Sequence, residues 1–206
     1  MPGSEMPPLL SSAQLPDAVI TMSTAFADDP LWLYIYPERQ KRQLALAGFF
    51  RSVLALSINQ QKAYGIGSPP AGVAVWGLPG QPRIALSPFV LVPFLRLTLS
   101  PFALAALKVR KIFAQFERMR WTYAPEPHFY LQTIGIRPDS QGQGLASRLI
   151  RPFLVEADRN RLACYTETVT PSNVSLYQHF GFQVVGECTI PGITLKLWGF
   201  YKPVSG

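Results

Sequence analysis

The stretch 141-QGQGLA-146 lies between 131-LQTIGIRPDS-140, apolar and strand-like, and 147-SRLIRPFLVEAD-158, which reads as a helix. It is therefore a strand-to-helix turn. A helix N-terminus leaves its first backbone N–H groups without intrahelical partners, and those donors, with the positive end of the helix dipole, attract phosphate. Gly142 and Gly144 remove the side chains that would keep a pyrophosphate away. Ala146 keeps the next turn narrow, and Ser147 adds a hydroxyl donor. The turn lacks the lysine of a nucleoside-triphosphate loop and the spacing of a dinucleotide fingerprint. Taken alone, its two glycines suit a plain flexible turn equally well.

The elements around the turn follow a strand, helix, strand rhythm. HFYLQTIGI (128–136) reads as a strand, GLASRLIRPFLVEADRNR (144–161) as a helix despite Pro152, and LACYTETV (162–169) as a second strand. NVSLYQHF (173–180) is a short helix ended by Gly181, and FQVVGECTI (182–190) and TLKLWGFYK (194–202) are two closing strands. A strand–helix–strand unit pairs its strands in parallel, whereas the last two read as antiparallel. Upstream, SSAQLPDAVITMSTAFADD (11–29) has helical spacing through Leu15, Val19, Met22 and Phe26, with Pro30 placed to stop it. ERQKRQLALAGFFRSVLALSI (38–58) reads as a second helix, and KAYGIG and GVAVWGL flank SPPA as a hairpin. The expected fold is a mixed central α/β sheet of about six to seven strands with helices on both faces.

Composition narrows the class. Of the 206 residues 48% are hydrophobic and 15% charged, which is a folding chain and not a disordered one. The formal charge of +7 could serve nucleic acid, an anionic membrane or a phosphorylated cofactor, but no Lys/Arg run marks a nucleic-acid patch. Cys164 and Cys188 are far apart without metal-ligand spacing, so buried free thiols in a reducing compartment, and no metal, are expected. MPGSEMPPLLSS lacks a basic region followed by an apolar core, which argues against a secretory signal and for a cytoplasmic protein. PFVLVPFLRLTLSPFALAAL (88–107) is long enough to span a bilayer, but Pro93, Arg96 and Pro101 interrupt it. Broken, buried helices are expected there, followed by a basic helical extension to about Trp121 and no stable membrane insertion.

IGIRPDSQGQGLASRLI resembles the acetyl-coenzyme A signature of the GNAT superfamily of N-acetyltransferases, with Gln141, Gly144 and Ala146 at its defined positions. SNVSLYQHFGF resembles that family's later motif through Asn173, Tyr177 and the Gly181-Phe182 pair. AFADDPLWLYIYP, VAVWGLPG, PHFYLQTIGIRP and VVGECTIPG extend the likeness toward a puromycin N-acetyltransferase-like subgroup. The resemblance implies one domain over 1–206, with an acceptor-side half of about 1–127, including the 88–121 insertion, and a cofactor half of 128–206. It also implies two central parallel strands that splay apart, with acetyl-coenzyme A as acyl donor. Ile134, Gly135 and Ile136 would then offer backbone to the pantetheine arm, although their side chains alone read as core. Gln141, Gly142, Gln143, Gly144, Leu145, Ala146 and Ser147 would hold the pyrophosphate, and Asn173 the arm.

The implied reaction is direct attack of a small-molecule amine on the thioester. A free amine of pKa ~10 must first lose a proton, and the departing thiolate must be stabilised. Tyr177 matches the family tyrosine that points at the cofactor sulfur; otherwise it is aromatic core. Glu167, near the C-terminal end of the second parallel strand, is the candidate base or else an exposed strand-end charge. His128 starts its strand and reads as structural or surface. For the acceptor, Asp28 and Asp29 could attract a cation, and Trp32, Tyr34 and Tyr36 could form aromatic walls. Helix termination is the plainer reading of Asp28-Asp29-Pro30, although acid beside a helix C-terminus is electrostatically unfavourable. The insertion could cover the acceptor or form a partner surface, as in a homodimer. A catalytically silent coenzyme A-binding sensor is the alternative function, and a nucleic-acid binder using Lys108–Arg120 is disfavoured by sparse charge.

Overall fold

In this computed structural model the chain is described over residues 5–79, 103–190 and 192–205. Residues 88–102, where broken helices are expected, lie outside the described residues. The elements are α1 (Leu15–Ala25), α2 (Pro30–Ile35), α3 (Arg39–Asn59), β1 (Ala63–Ile66), β2 (Gly72–Gly77) and α4 (Ala103–Tyr123). They continue with β3 (His128–Ile136), α5 (Leu145–Arg159), β4 (Ala163–Thr168), α6 (Ser172–His179), β5 (Gln183–Thr189) and β6 (Lys196–Lys202). The strands form one sheet in the order β1-β2-β3-β4-β6-β5. Among the described residues only β3 and β4 pair in parallel, as the intervening helix α5 requires. The expected mixed sheet is present, with six strands among the described residues.

Both faces of the sheet are covered, and β2 displays this directly. Val73 and Val75 join one apolar cluster with Met22, Leu46 and Phe50 of α1 and α3, while Ala74 and Trp76 join another with Leu149 and Phe153 of α5. Successive side chains of a strand point to opposite faces, so a strand buried on both reads as a continuous apolar run. Trp76 stacks on Phe153 at 4.5 Å and donates its indole N–H to the Leu149 carbonyl at 3.1 Å. Pro152 lies buried in the middle of α5 and cannot donate to the carbonyl one turn earlier.

The N-terminal segment differs from its sequence expectation at one point. α1 has already ended at Ala25, and Asp29-Pro30 starts α2 instead of terminating α1. Asp29 is the N-cap, its carboxylate accepting from Leu31 N at 3.0 Å and Trp32 N at 3.4 Å, and Pro30 takes the first helical position, where no N–H is needed. Buried Arg42 fastens the turns around α2, donating to the carbonyls of Ala27, Tyr36 and Pro37 at 2.8–2.9 Å.

Candidate functional site

The two parallel strands diverge partway along. β3 pairs with β4 only from His128 opposite Ala163 to Leu131 opposite Thr166. Beyond Leu131 it pairs with β2 alone, out to Ile136. The departure coincides with a bulge, because Val75 pairs with Thr133 and Trp76 with Leu131, leaving Gln132 without a counterpart on β2. An extra residue bends a strand and sharpens its twist. The face pattern of β3 records this slip. Phe129 and Leu131 pack in the α5-side cluster, and so do Ile134 and Ile136, three residues further on instead of two.

The gap between the strands opens into a cavity of about 150 Å³, lined from β3 by Gln132, Thr133 and Ile134 and from β4 by Thr166, Glu167 and Thr168. Asn173 and Tyr177 of α6 line it too. Asn173 donates to Thr168 Oγ1 at 3.2 Å, and it lies inside α6 after Pro171 at the N-cap, so capping is not its task. Tyr177 is buried against Phe182 and Phe200, at ring distances of 5.9 and 5.2 Å. Burial pushes its phenol up to about 12, so the proton stays on Oη at neutral pH.

Glu167 has the most perturbed carboxyl near the gap. Burial pushes its pKa up to about 8, opposed by hydrogen bonding from Tyr130 and by the Arg120 charge. The residue is partly covered overall, but its Oε1 is out of solvent and has no hydrogen-bond partner. Tyr165 Oη is likewise out of solvent and lies beside Glu167, a phenol–carboxylate interaction that also opposes the rise. Arg120 lies over the Tyr130 ring at 4.4 Å and ion-pairs with Glu117 one turn earlier on α4. α4 reaches this position because Gly199 of β6 gives it room: a Cβ there would meet Tyr165 Oη at 2.8 Å and Met119 Sδ at 2.9 Å.

The turn after β3 is exposed from Gln141 to Gly144. Gly142 and Gly144 have φ of +76° and +74°, the left-handed region that side chains disfavour, and among the described residues no atom beyond the adjoining residues lies within 4 Å of where a Cβ would stand. The glycines are thus required by backbone conformation, and the space they leave faces outward. The first N–H to close a bond in α5 is that of Arg148, to Gly144 at 3.2 Å, so the amides of Leu145, Ala146 and Ser147 are available to an anion. Ser147 Oγ accepts from Arg151 Nε at 2.7 Å, which draws a cation to that first turn. Gln141 donates back to Ile136 O at 3.4 Å and Gln143 to Asp139 O at 3.5 Å. An outward-facing amide turn joined to a strand edge that has no β4-side partner among the described residues, and to a cavity, fits a cofactor with a pyrophosphate and an extended arm. Among the described residues no group of three His, Cys, Asp or Glu gathers as a metal site.

The acceptor-side expectations divide. Asp29 and Trp32 line the cavity, while Asp28, which is exposed, Tyr34 and Tyr36 are not among its lining. Tyr34 donates to Gly192 O at 3.4 Å. Burial raises the Asp29 pKa against the bonds it accepts, which include one from Thr170 Oγ1 at 3.0 Å. His128 Nδ1 bonds Glu126 O at 2.7 Å at the far end of β3, consistent with a structural histidine. Sequence reasoning missed the Glu117–Arg120–Tyr130–Tyr165 surroundings of Glu167. The stripe Phe113, Phe116, Arg120 is visible at helical spacing, but nothing in the chain states which wall it faces.

Residues 105–184 match the family model of the acetyltransferase (GNAT) domain. The fold is similar to that of "histone acetyltransferase HPA2 and related acetyltransferase" from Corynebacterium glutamicum, with 20% identity, 98% of each chain covered and a TM-score of 0.61. It is also similar to arylalkylamine N-acetyltransferase 2 from Aedes aegypti, with 18% identity, 96% of this chain and 98% of that one covered and a TM-score of 0.61. A third similar structure is the NatC complex bound to Gag peptide and CoA, with 13% identity, 96% and 97% coverage and a TM-score of 0.51. The family match supports acetyl transfer; the structural likenesses are likenesses of fold.

Proposed function

We propose that this chain, with a GNAT acetyltransferase domain over 105–184, is an N-acetyltransferase that passes an acetyl group from acetyl-coenzyme A to a small primary amine by direct attack. The observation that carries the reading is Glu167, a buried carboxyl pushed up to about 8, sharing a strand gap with the protonated phenol of Tyr177. A similar structure is described as bound to CoA and another as an arylalkylamine N-acetyltransferase, which favours this donor and an amine acceptor.

The chain's own groups have separable tasks. Gly142 to Ser147 would bind the pyrophosphate through backbone N–H groups, and Ile134, Gly135 and Ile136 would orient the arm along the free edge of β3. When bound, the coenzyme supplies an acetyl thioester as electrophile. The Glu167 carboxylate takes a proton from the entering amine. Moving it from a group of pKa ~10 to one near 8 costs roughly 3 kcal/mol, a modest part of an enzymatic barrier. Tyr177 Oη holds its proton against a developing thiolate. A thiol has pKa ~8.5, so this phenol stabilises by hydrogen bonding more than by full transfer. Asn173, held by Thr168, would fix the arm beside them.

A silent coenzyme A sensor would gain nothing from a near-neutral buried carboxyl in this gap. The puromycin N-acetyltransferase-like subgroup is our narrower reading, carried by AFADDPLWLYIYP and VVGECTIPG, with the whole of 1–206 as one cytoplasmic domain. The test is thiol release from acetyl-coenzyme A against aromatic, aliphatic and polycationic amines. Turnover with at least one of them is expected; coenzyme binding with no turnover across the panel would leave the sensor.

A further inference from the structure

Glu117 and Arg120 pair one turn apart on α4, a spacing at which such a pair forms as readily on an open helix face. Here the arginine is 2% exposed, and burying two charges costs desolvation that a surface pair avoids. Its Nε is out of solvent with no hydrogen-bond partner among the described residues. What the guanidinium does meet is a ring, its central carbon lying 4.4 Å from the centroid of Tyr130. α4 is seated here by two glycines on neighbouring strands. At Gly199 of β6 an added Cβ would meet Met119, and at Gly186 of β5 it would meet the Tyr123 ring. Met119 and Tyr123 bracket Arg120 in the helix, so the seats that set α4 on the sheet also turn Arg120 inward.

We propose that Arg120 is a positioning residue for the transfer, holding Tyr130 against Glu167 and supplying the positive charge beside which the Glu167 carboxylate forms. The inference rests on the acetyl-transfer reading above. Arg120 is not among the residues lining the cavity, whereas Glu117, Tyr130 and Glu167 are, so it acts through them. Tyr130 is the link, because its ring lies against the guanidinium and its phenol hydrogen-bonds Glu167. The titratable groups around Glu167 come from four elements. α4 brings Glu117, Arg120 and, through Tyr165, the Tyr123 phenol; β3 brings Tyr130 and His128, β4 Tyr165 and α6 Tyr177. Asp29 lines the same cavity. Arg120 is the permanent cation in this set. Its pull on the Glu167 carboxylate exceeds the push of Glu117, so the pair favours ionisation although its own charges sum to zero. Removing one member or the other must therefore act on Glu167 in opposite directions.

The titration is read at the carboxyl itself, by NMR of protein labelled with carbon-13 at glutamate Cδ. The Glu167 signal is the one lost in Glu167→Gln, and kcat/KM against pH and coenzyme A affinity are measured alongside. Arg120→Met should move the Glu167 titration upward by about 1 pH unit or more, and the acid limb of kcat/KM with it. Activity at pH 7 then falls about tenfold while coenzyme A affinity holds. Arg120→Lys keeps the charge and should recover roughly half of the displacement or more. Glu117→Gln should move the titration downward. An arginine that only packed α4 would lower the Tm and leave the carboxyl where it was. An unmoved titration in Arg120→Met, or an equal displacement in Arg120→Lys, overturns this inference and leaves acetyl transfer standing. No turnover of any amine by the wild type, with coenzyme A bound, removes the acetyl-transfer reading and this inference with it. Should Arg120→Met fail to fold by circular dichroism, Glu117→Gln decides: downward movement upholds the inference and none overturns it.

Discussion

Glu167 titrates between two needs, since a base must be ionised to act and burial keeps it protonated. Its carboxyl is raised from 4.5 to about 8, so the folded state binds more protons than the unfolded chain between those values. Stability contributed by this group is therefore present at low pH and declines as pH rises from 4.5 through about 8. Activity runs the other way, with kcat/KM rising toward a plateau above about pH 8. Glu167→Gln should lower kcat by roughly 10²–10⁴-fold, flatten that rise and spare coenzyme A affinity. An unchanged pH profile in the variant would assign the proton to another group. YTETV disclosed a carboxylate at a strand end and left open whether it was buried. Exposure there is decided by Arg120, Tyr130 and Tyr165, which reach Glu167 from α4, β3 and its own strand, so no local window of sequence contains the answer.

Elements were legible wherever period and punctuation agreed. The hairpin β1–β2, α3, and the order β3, α5, β4, α6, β5, β6 follow from alternation, helical spacing and glycine stops. Asp29-Pro30 was harder, because a helix stop and a helix start use the same residue types, and only the following turn tells them apart. Gly144 is the clearest element-scale test. At φ +74° and with open space around it, any side chain strains the backbone by about 1–2 kcal/mol but meets no protein atom. Gly144→Glu also sets a negative charge where an anion is to bind. Coenzyme A affinity should fall by more than ~100-fold, with circular dichroism unchanged. Wild-type affinity would mean that the pyrophosphate lies elsewhere.

For the whole molecule, the informative contacts join distant parts of the chain. Thr170, after β4, donates to Asp29, which starts α2, tying the N-terminal helices to the rim of the strand gap. Asp29→Ala removes both that tie and the cap, a loss of roughly 2–4 kcal/mol from a buried, charge-assisted set of bonds. For a chain of this size the Tm should fall by about 5–15 °C, and Asp29→Asn should recover part of it. A Tm within about 1 °C of wild type would show the carboxylate to be dispensable for folding and free for ligand. Such pairings are invisible in sequence, because 141 positions separate the two residues and the Asp-Pro helix start at Asp29 says nothing of Thr170.

The surplus residue Gln132 makes β3 a strand with two parities. Odd positions Phe129 and Leu131 and even positions Ile134 and Ile136 face the same helix. Removing this one residue would bring the two halves into a single count. The chain could then keep either its core side chains or its opening facing the right way, but not both. Cleft and core are thus set by one counting error in the strand, and a shortened relative would have to lose the gap in order to stay folded.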